Sequence, residues 1–199
     1  ASPAGDDIRR VENARFLINT FCVYEVWFKD ASLISPSLKE QKFYWSTGWF
    51  VENDSANLAM TSGHGVVCKS DPAAIWPDLD SAWVKKFKSE ASVQIFFNDK
   101  AWQAKVLKVV LPQNSSELDY AILSVDIPAD VAHYSIPVFG SNNFYDKLDG
   151  VIIATIFFYD APGGNTIKYN LLDTAVISGI SDDLLQISYN ICDGMSGSP

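Results

Sequence analysis

Short segments rich in β-forming residues, separated by turn signals, run along most of the chain and constrain its fold more than any other feature. Val, Ile, Phe, Tyr and Trp dominate these segments, and several of them alternate apolar with polar residues, which is typical of strands that bury one face. The clearest alternation runs from Leu185 to Ile191, and another places Val93, Ile95 and Phe97 on one face. Closely spaced strands of this kind predict an all-β sandwich or barrel.

The pattern also predicts where the strands lie and where a helix interrupts them. The predicted strands cover residues 21–29, 43–51, 58–61, 92–97, 102–111, 121–125, 151–158, 166–180 and 185–191. Residues 9–20 fit either a short helix or the approach to a strand. One short helix is predicted in the second half of residues 69–90, because Leu79, Trp83 and Phe87 recur at intervals of four behind an aspartate that can cap them.

The stretch at residues 194–199, GMSGSP, suits a nucleophilic serine. One glycine stands two positions before Ser196 and another follows it directly, which lets the backbone turn sharply and project the hydroxyl into a cleft. The N–H groups of Gly194 and Ser196 could together receive the negative charge of a tetrahedral intermediate. The alternative interpretation is an ordinary Gly/Ser turn, since Gly, Ser and Pro dominate turns.

A nucleophilic serine needs a base and a group that orients the base. The chain has only two histidines: His64 follows a short apolar strand and has a glycine on each side, whereas His133 is predicted to lie at the surface of a linker. Asp119 precedes the strand at residues 121–125. The alternative interpretations are that His64 is an ordinary core histidine and that Asp119 only caps a strand.

In the order His, Asp, Ser, these three segments resemble the chymotrypsin/trypsin-like serine proteases. Residues 61–64 (TSGH) resemble the family's T-A-A-H, and residues 118–123 (LDYAIL) resemble its D-[IL]-A-[LV]-[LI]. Residues 194–199 resemble its G-D-S-G-G-P.

The segments between them extend the resemblance to residues 45–199 and are closest to the short bacterial, HtrA-like branch. Residues 46–51 (STGWFV) resemble the G-S-G-[FW]-[VI] strand that precedes the histidine in that branch. Residues 138–141 and 149–154 resemble its L-G-x-S and G-x-x-V-x-A-I-G.

The resemblance implies an all-β fold of two six-stranded antiparallel β-barrels, with the short helix inserted between the histidine and the next strand. The expected divisions are an N-terminal arm, a first barrel, a linker and a second barrel, over residues 1–20, 21–126, 127–137 and 138–199. The first barrel would carry His64 and Asp119, and the second would carry Ser196.

The resemblance further implies a serine endopeptidase that acts through an acyl-enzyme. Ser196 would attack the carbonyl, His64 would take and return the proton, and Asp119 would hold the imidazole tautomer. The amides of Gly194 and Ser196 would form the oxyanion hole. Such an enzyme takes a polypeptide substrate and calls for no cofactor and no metal.

Two residues and the end of the chain modify what the family resemblance implies. Met195 stands where digestive-type members carry the Asp that binds a new N-terminal amine, so that activation route is not expected here. Asn190 falls where the family often keeps the residue at the base of its specificity pocket, which implies a neutral pocket. The chain stops three residues after Ser196, whereas family members continue with further strands.

The stop after Ser196 leads us to expect a second barrel that is incomplete at its C-terminus. The chain would then be a fragment or cleaved form of a longer protease, with a remaining C-terminal segment or second chain as its partner. The rival hypothesis is a pseudoprotease or latent protease domain. It would act as a binding or regulatory module until a partner or the missing segment completes the site.

Charge and cysteine content narrow the classes of partner. The net charge of −9 disfavours nucleic acid and anionic membranes, and no apolar run is long enough for a membrane span. Cys22, Cys68 and Cys192 form no C-x-x-C pair, which argues against a zinc ribbon or a disulfide-dense scaffold. Cys22 and Cys68 could pair if their strands are neighbours, but three buried free thiols are the preferred interpretation.

Overall fold

The computed structural model describes most of the first 137 residues and shorter segments beyond them. The described residues are 3–30, 32, 35–52, 57–114, 117–128, 130–131, 133–137, 152–159, 169–180, 185–187 and 196–197. For residues 3–8 and for the three segments between 152 and 187, the description covers the backbone alone. In these parts of the chain, no helix combines the length and the hydropathy that crossing a membrane requires.

The described residues form one α-helix followed by nine strands. Helix α1 spans Pro3–Ala14. The strands are β1 (Arg15–Phe28), β2 (Ser37–Phe50), β3 (Leu58–Thr61), β4 (Val84–Phe97), β5 (Lys100–Val110), β6 (Tyr120–Val125), β7 (Ile152–Tyr159), β8 (Tyr169–Ile180) and β9 (Leu185–Ile187). Single-turn 3-10 helices connect some of them, at His64–Val66, Pro72–Ala74 and Ser81–Trp83.

The first six strands close into a barrel in the order β1–β2–β3–β6–β5–β4, and every pairing is antiparallel. Alternate residues of each strand point inward, so apolar side chains from all sides fill the interior. Among the largest fully buried side chains are Phe16, Ile18, Phe50, Ile95 and Leu123. The prediction of a six-stranded all-β barrel is confirmed for this part of the chain.

Each strand predicted between residues 21 and 125 lies on a barrel strand and extends at most one residue beyond it. Three observed strands begin earlier than predicted: β4 at Val84 rather than residue 92, β1 at Arg15 rather than residue 21, and β2 at Ser37 rather than residue 43. Residues 9–20, where both helix and strand fitted the sequence, divide between α1 and β1 at Ala14.

The short helix predicted within residues 69–90 is wrong. The stretch forms two 3-10 turns and then the first part of β4, and Asp80 caps only the second of those turns. From Val84 onward the backbone pairs with β1, which satisfies the hydrogen-bonding groups that a helix would satisfy internally. The spacing between Trp83 and Phe87 misleads because four is an even number, so residues four apart also share a face in a strand.

Cys22 and Cys68 form a disulfide with a Cα–Cα distance of 5.7 Å. The preferred interpretation of three free thiols is therefore wrong for this pair. Cys22 lies in the middle of β1, and Cys68 lies just after the turn at His64–Val66. Cys192 lies outside the described residues.

The segment after the barrel packs more closely than a surface linker would. The ring of His133 is half-buried, with centroid distances of 4.2 Å to Phe50 and 6.3 Å to Phe97, so the prediction of a surface histidine is wrong. Nearby, the Ile136 amide donates to the Phe50 carbonyl at 2.9 Å, and the Glu52 amide donates to the Ile136 carbonyl at 2.9 Å. These bonds attach the segment to the end of β2.

Beyond residue 137 the described strands β7, β8 and β9 form an antiparallel three-stranded sheet in that order. They fall within the strands predicted from the sequence, apart from the last residue of β7. The described residues do not include a second closed barrel, and the expectation of an incomplete second barrel stays a prediction.

Candidate active site

The pairing of β3 with β6 brings His64 and Asp119 together. Thr61, the last residue of β3, lies opposite Ala121 of β6. His64 follows three residues after Thr61, and Asp119 comes two residues before Ala121, so the antiparallel register places both at one end of the barrel. The 3-10 turn at His64–Val66 then keeps the imidazole exposed, with 57% of its side chain accessible.

Asp119 binds His64 through both carboxylate oxygens. Oδ1 accepts the backbone N–H of His64 at 3.0 Å, and Oδ2 accepts a hydrogen bond from the imidazole Nδ1. An ionised carboxylate only accepts hydrogen bonds, so the proton of the neutral imidazole sits on Nδ1. Nε2 is left as an acceptor.

Ser196 completes this hydrogen-bonded row. Its Oγ lies 2.9 Å from His64 Nε2, and since Nε2 is the acceptor, the hydroxyl of Ser196 donates. A hydroxyl that donates to an unprotonated imidazole has a general base within reach of its proton. The row joins residues that are 55 and 132 positions apart in sequence.

The backbone around Ser196 is held against the barrel by β2. The Ser196 carbonyl accepts the Thr47 N–H at 2.9 Å. Gly197 adopts a φ of +81°, and a Cβ at that position would overlap the Thr47 carbonyl and the Thr61 hydroxyl. The glycine after the serine is therefore required both by its backbone conformation and by its close approach to the barrel.

Gly63 gives Asp119 the room to reach His64. A Cβ at position 63 would lie 2.8 Å from Asp119 Oδ1 and would overlap the backbone carbonyl of Val110. The sequence analysis identified Gly63 only as a small neighbour of the histidine, at a position where the family resemblance has alanine. Its steric role depends on a contact between strands, and no signal in the single sequence reveals it.

The remaining predicted site residues divide into two groups. Gly194 and Asn190 lie outside the described residues, as does Met195, so the oxyanion hole and the specificity pocket stay predictions. His133 is described, but its ring packs against Phe50 and Phe97 instead of joining the row. Within the described ranges, no group of three or more His, Cys, Asp or Glu side chains is arranged to hold a metal ion.

Comparison with solved structures shows similarity to serine proteases. A scabies mite inactivated protease paralogue has a TM-score of 0.50 and 12% identity, over 89% of this chain and 74% of that one. A protease from Arthrobacter nicotinovorans has a TM-score of 0.49 and 15% identity, over 91% of this chain and 79% of that one. A thermostable serine protease from an extremophilic microorganism has a TM-score of 0.46 and 14% identity, over 89% of this chain and 76% of that one. No protein-family model and no curated protein sequence matches the chain.

At these identities the similarity shows the fold alone, and the comparison at a TM-score of 0.50 carries it. The chain has a protease-like fold of the chymotrypsin/trypsin type, of which the described residues show the closed six-stranded barrel. The resemblance of its sequence segments to the HtrA-like branch stays a prediction.

Proposed function

We propose that this chain is a trypsin-like serine endopeptidase domain, a hydrolase that cleaves peptide bonds through an acyl-enzyme. One observation carries the proposal: Asp119, His64 and Ser196 form a continuous hydrogen-bonded row at the end of the barrel. The protease-like fold supports a polypeptide substrate.

The proposed chemistry begins with attack by Ser196 Oγ on the carbonyl carbon of the scissile bond. His64 Nε2 takes the hydroxyl proton and returns it to the leaving amine, which yields an acyl-enzyme and a free amine. Water then attacks the acyl-enzyme with His64 again as base, and this step releases the acid and restores the serine.

Two further groups have proposed roles in these steps. Asp119 keeps the Nδ1 tautomer in place and stabilises the imidazolium that forms when Nε2 takes the proton. The amides of Gly194 and Ser196 stabilise the oxyanion, and Asn190 gives a neutral specificity pocket.

Labelling by a fluorophosphonate probe tests the proposal directly, because the probe reacts only with an activated serine. We expect Ser196 to be labelled in the unmodified chain and the label to be absent in Ser196→Ala. His64→Ala and Asp119→Asn should each slow labelling by about 10⁴-fold. His133→Gln and Asp126→Asn are matched controls that change the other histidine and the acid at the opposite end of β6 from Asp119, and both should keep labelling.

Absence of labelling in a folded chain would contradict the proposal. If the longest natural precursor is labelled under the same conditions, the domain is a latent protease that needs another segment. If neither is labelled, the fold serves as a pseudoprotease that binds without cleaving.

A further inference from the structure

Three buried side chains of β1 face the segment that carries His64. Thr20, Cys22 and Tyr24 alternate along the strand, so they project from the same face, and each has 0% exposure. We call these three residues the anchor row. The strand beneath them is held on both sides, since Cys22 lies opposite Lys42 of β2 and Ala91 of β4.

The two ends of the anchor row hold the segment through hydrogen bonds. The Thr20 hydroxyl donates to the carbonyl of Gly65 at 2.7 Å, directly after His64. At the other end, the Lys69 N–H donates to the Tyr24 hydroxyl at 3.1 Å. Both bonds involve buried groups on β1, where loss of a partner is costly.

The middle of the anchor row holds the same segment covalently, through the disulfide between Cys22 and Cys68. The other two members of the hydrogen-bonded row are held elsewhere: Asp119 by its position directly before β6, and Ser196 by its bond to Thr47 of β2. A change at the disulfide therefore acts on the segment that carries the histidine.

We propose that the anchor row positions His64, and that the Cys22–Cys68 disulfide makes the site redox-sensitive: active when oxidised and slowed when reduced. This inference rests on the proposed peptidase function. Catalytic geometry tolerates little error, and a displacement of 1 Å costs about 100-fold in rate. Reduction removes the covalent link in the middle of the anchor row. The hydrogen bonds of Thr20 and Tyr24 are then left to hold residues 65–69.

The reductant in this proposal is a small dithiol. Cys68 is half-buried whereas Cys22 is fully buried, so we take Cys68 as the residue that a thiolate of the dithiol attacks. Its attack breaks the S–S bond, forms a mixed disulfide and releases Cys22 as a thiolate, which takes up a proton. The second thiol of the reductant then displaces Cys68, which leaves two protein thiols and an oxidised, cyclic reductant.

The test compares fluorophosphonate labelling of the oxidised chain with that of the chain reduced by dithiothreitol. We expect reduction to slow labelling of Ser196 by about 10- to 100-fold and reoxidation to restore it. The double variant Cys22→Ser/Cys68→Ser should be slow from the start and insensitive to the reductant. Peptide mass mapping confirms which cysteines are reduced, and circular dichroism confirms that the barrel remains folded.

A matched pair at Thr20 tests the positioning role without reduction, and serves equally if the reduced chain unfolds. Thr20→Val keeps the shape but loses the hydroxyl, and should slow labelling of the oxidised chain by about tenfold at unchanged circular dichroism. Thr20→Ser keeps the hydroxyl and should restore the rate. Tyr24→Phe should slow labelling, whereas Tyr44→Phe leaves the Lys69 contact in place and should not.

The two proposals fail in different ways. An oxidised chain that is never labelled would overturn the proposed peptidase function, and the proposed redox control would fall with it. An oxidised chain that is labelled, but at the same rate after verified reduction in a folded barrel, would overturn the redox control alone. Equal rates for Thr20→Val and Thr20→Ser would overturn the positioning role of the row.

Discussion

Single residues at the end of the barrel set the distances on which the site depends. Gly63 lies between Asp119 and the backbone of Val110, with no space for a side chain. Gly65, on the other side of His64, is also close-packed, but its nearest neighbours are the hydroxyls of Ser46 and Ser62, each 2.9 Å from where a Cβ would stand. A methyl group at position 63 would therefore meet a fixed backbone carbonyl, whereas one at position 65 would first meet side-chain hydroxyls that can rotate.

We expect Gly63→Ala to slow Ser196 labelling by about 100-fold, because the new methyl group displaces Asp119 from His64. Gly65→Ala is the matched control. The two hydroxyls that it meets have no hydrogen-bond partner among the described residues and can rotate away. The next atom, Ser46 Cβ, lies at 3.2 Å, so Gly65→Ala should slow labelling much less than Gly63→Ala. Labelling of both variants at equal rates would contradict the steric role of Gly63.

Tyr44 gives a pH-dependent contribution to stability. Burial, followed by the hydrogen bond of 3.1 Å to Tyr24, raises the pKa of the Tyr44 hydroxyl above its ordinary value of 10.0. In the unfolded chain the same hydroxyl ionises near pH 10, so its contribution is fully present below that pH and is lost as the pH rises further.

The urea midpoint of the unmodified chain should therefore fall more steeply between pH 10 and pH 11.5 than that of Tyr44→Phe. Tyr134→Phe removes an exposed tyrosine, with 57% exposure, and should keep the steep fall. Parallel curves for the unmodified chain and Tyr44→Phe would show that the Tyr44 hydroxyl does not carry the effect.

At the scale of whole elements, the turn between β4 and β5 shows local sequence and strand pairing in agreement. Phe97 pairs with Lys100, which leaves a loop of two residues, Asn98 and Asp99. Both have positive φ, 51° and 58°, as a type I′ turn requires. Asn and Asp accept this conformation better than most residues, and a β-branched residue accepts it poorly.

We expect Asp99→Val to lower the free energy of unfolding by about 1–2 kcal/mol, because a β-branched residue is strained at positive φ. Asp99→Gly should leave the stability unchanged or raise it, since Asn-Gly is the preferred pair for this turn. Urea unfolding followed by tryptophan fluorescence measures both. A Val variant as stable as the Gly variant would argue against the type I′ geometry.

The sequence predicts these elements well where local pattern and pairing point to the same structure. β3 and β6 were predicted with nearly their observed ends, and the motifs on either side of them located His64 and Asp119. Residues 84–91 of β4 were missed as a strand because the spacing at the start of this stretch fits a helix as well as a strand, and only the partner strand β1 decides between the two.

Contacts between distant residues explain the other differences. Cys22 and Cys68 are 46 residues apart in sequence, and folding of the barrel brings them together. No rule based on cysteine spacing predicts this pairing. The burial of His133 likewise depends on the phenylalanines of β2 and β4. Turn chemistry and motif order are local properties of the sequence, whereas these contacts are properties of the closed barrel.

At the scale of the whole molecule, the site is assembled from two parts. The barrel supplies His64 and Asp119, and the segment with Ser196 docks onto it through Thr47 and Gly197. Stability of the barrel and assembly of the site are therefore separable properties.

Gly197→Ala should impair assembly of the site without changing the stability of the barrel. The new side chain overlaps β2 and lies at positive φ, so Ser196 labelling should fall by about 100-fold while the unfolding midpoint of the barrel stays unchanged. Ile95→Val, inside the barrel, should do the opposite: lose about 0.5–1.5 kcal/mol of stability and keep labelling. Variants that changed both properties together would contradict this division.

The placement of the two histidines has a spectroscopic consequence. The ring of His133 packs beside aromatic residues of the barrel, with a centroid distance of 4.2 Å to Phe50, whereas His64 is exposed at the barrel's end. Ring currents should shift the carbon-bound imidazole protons of His133 away from those of His64, which gives two resolved signals in a proton NMR spectrum recorded in heavy water. The His133 signal then reports on the integrity of the barrel and the His64 signal reports on the site, in the same sample and without any label.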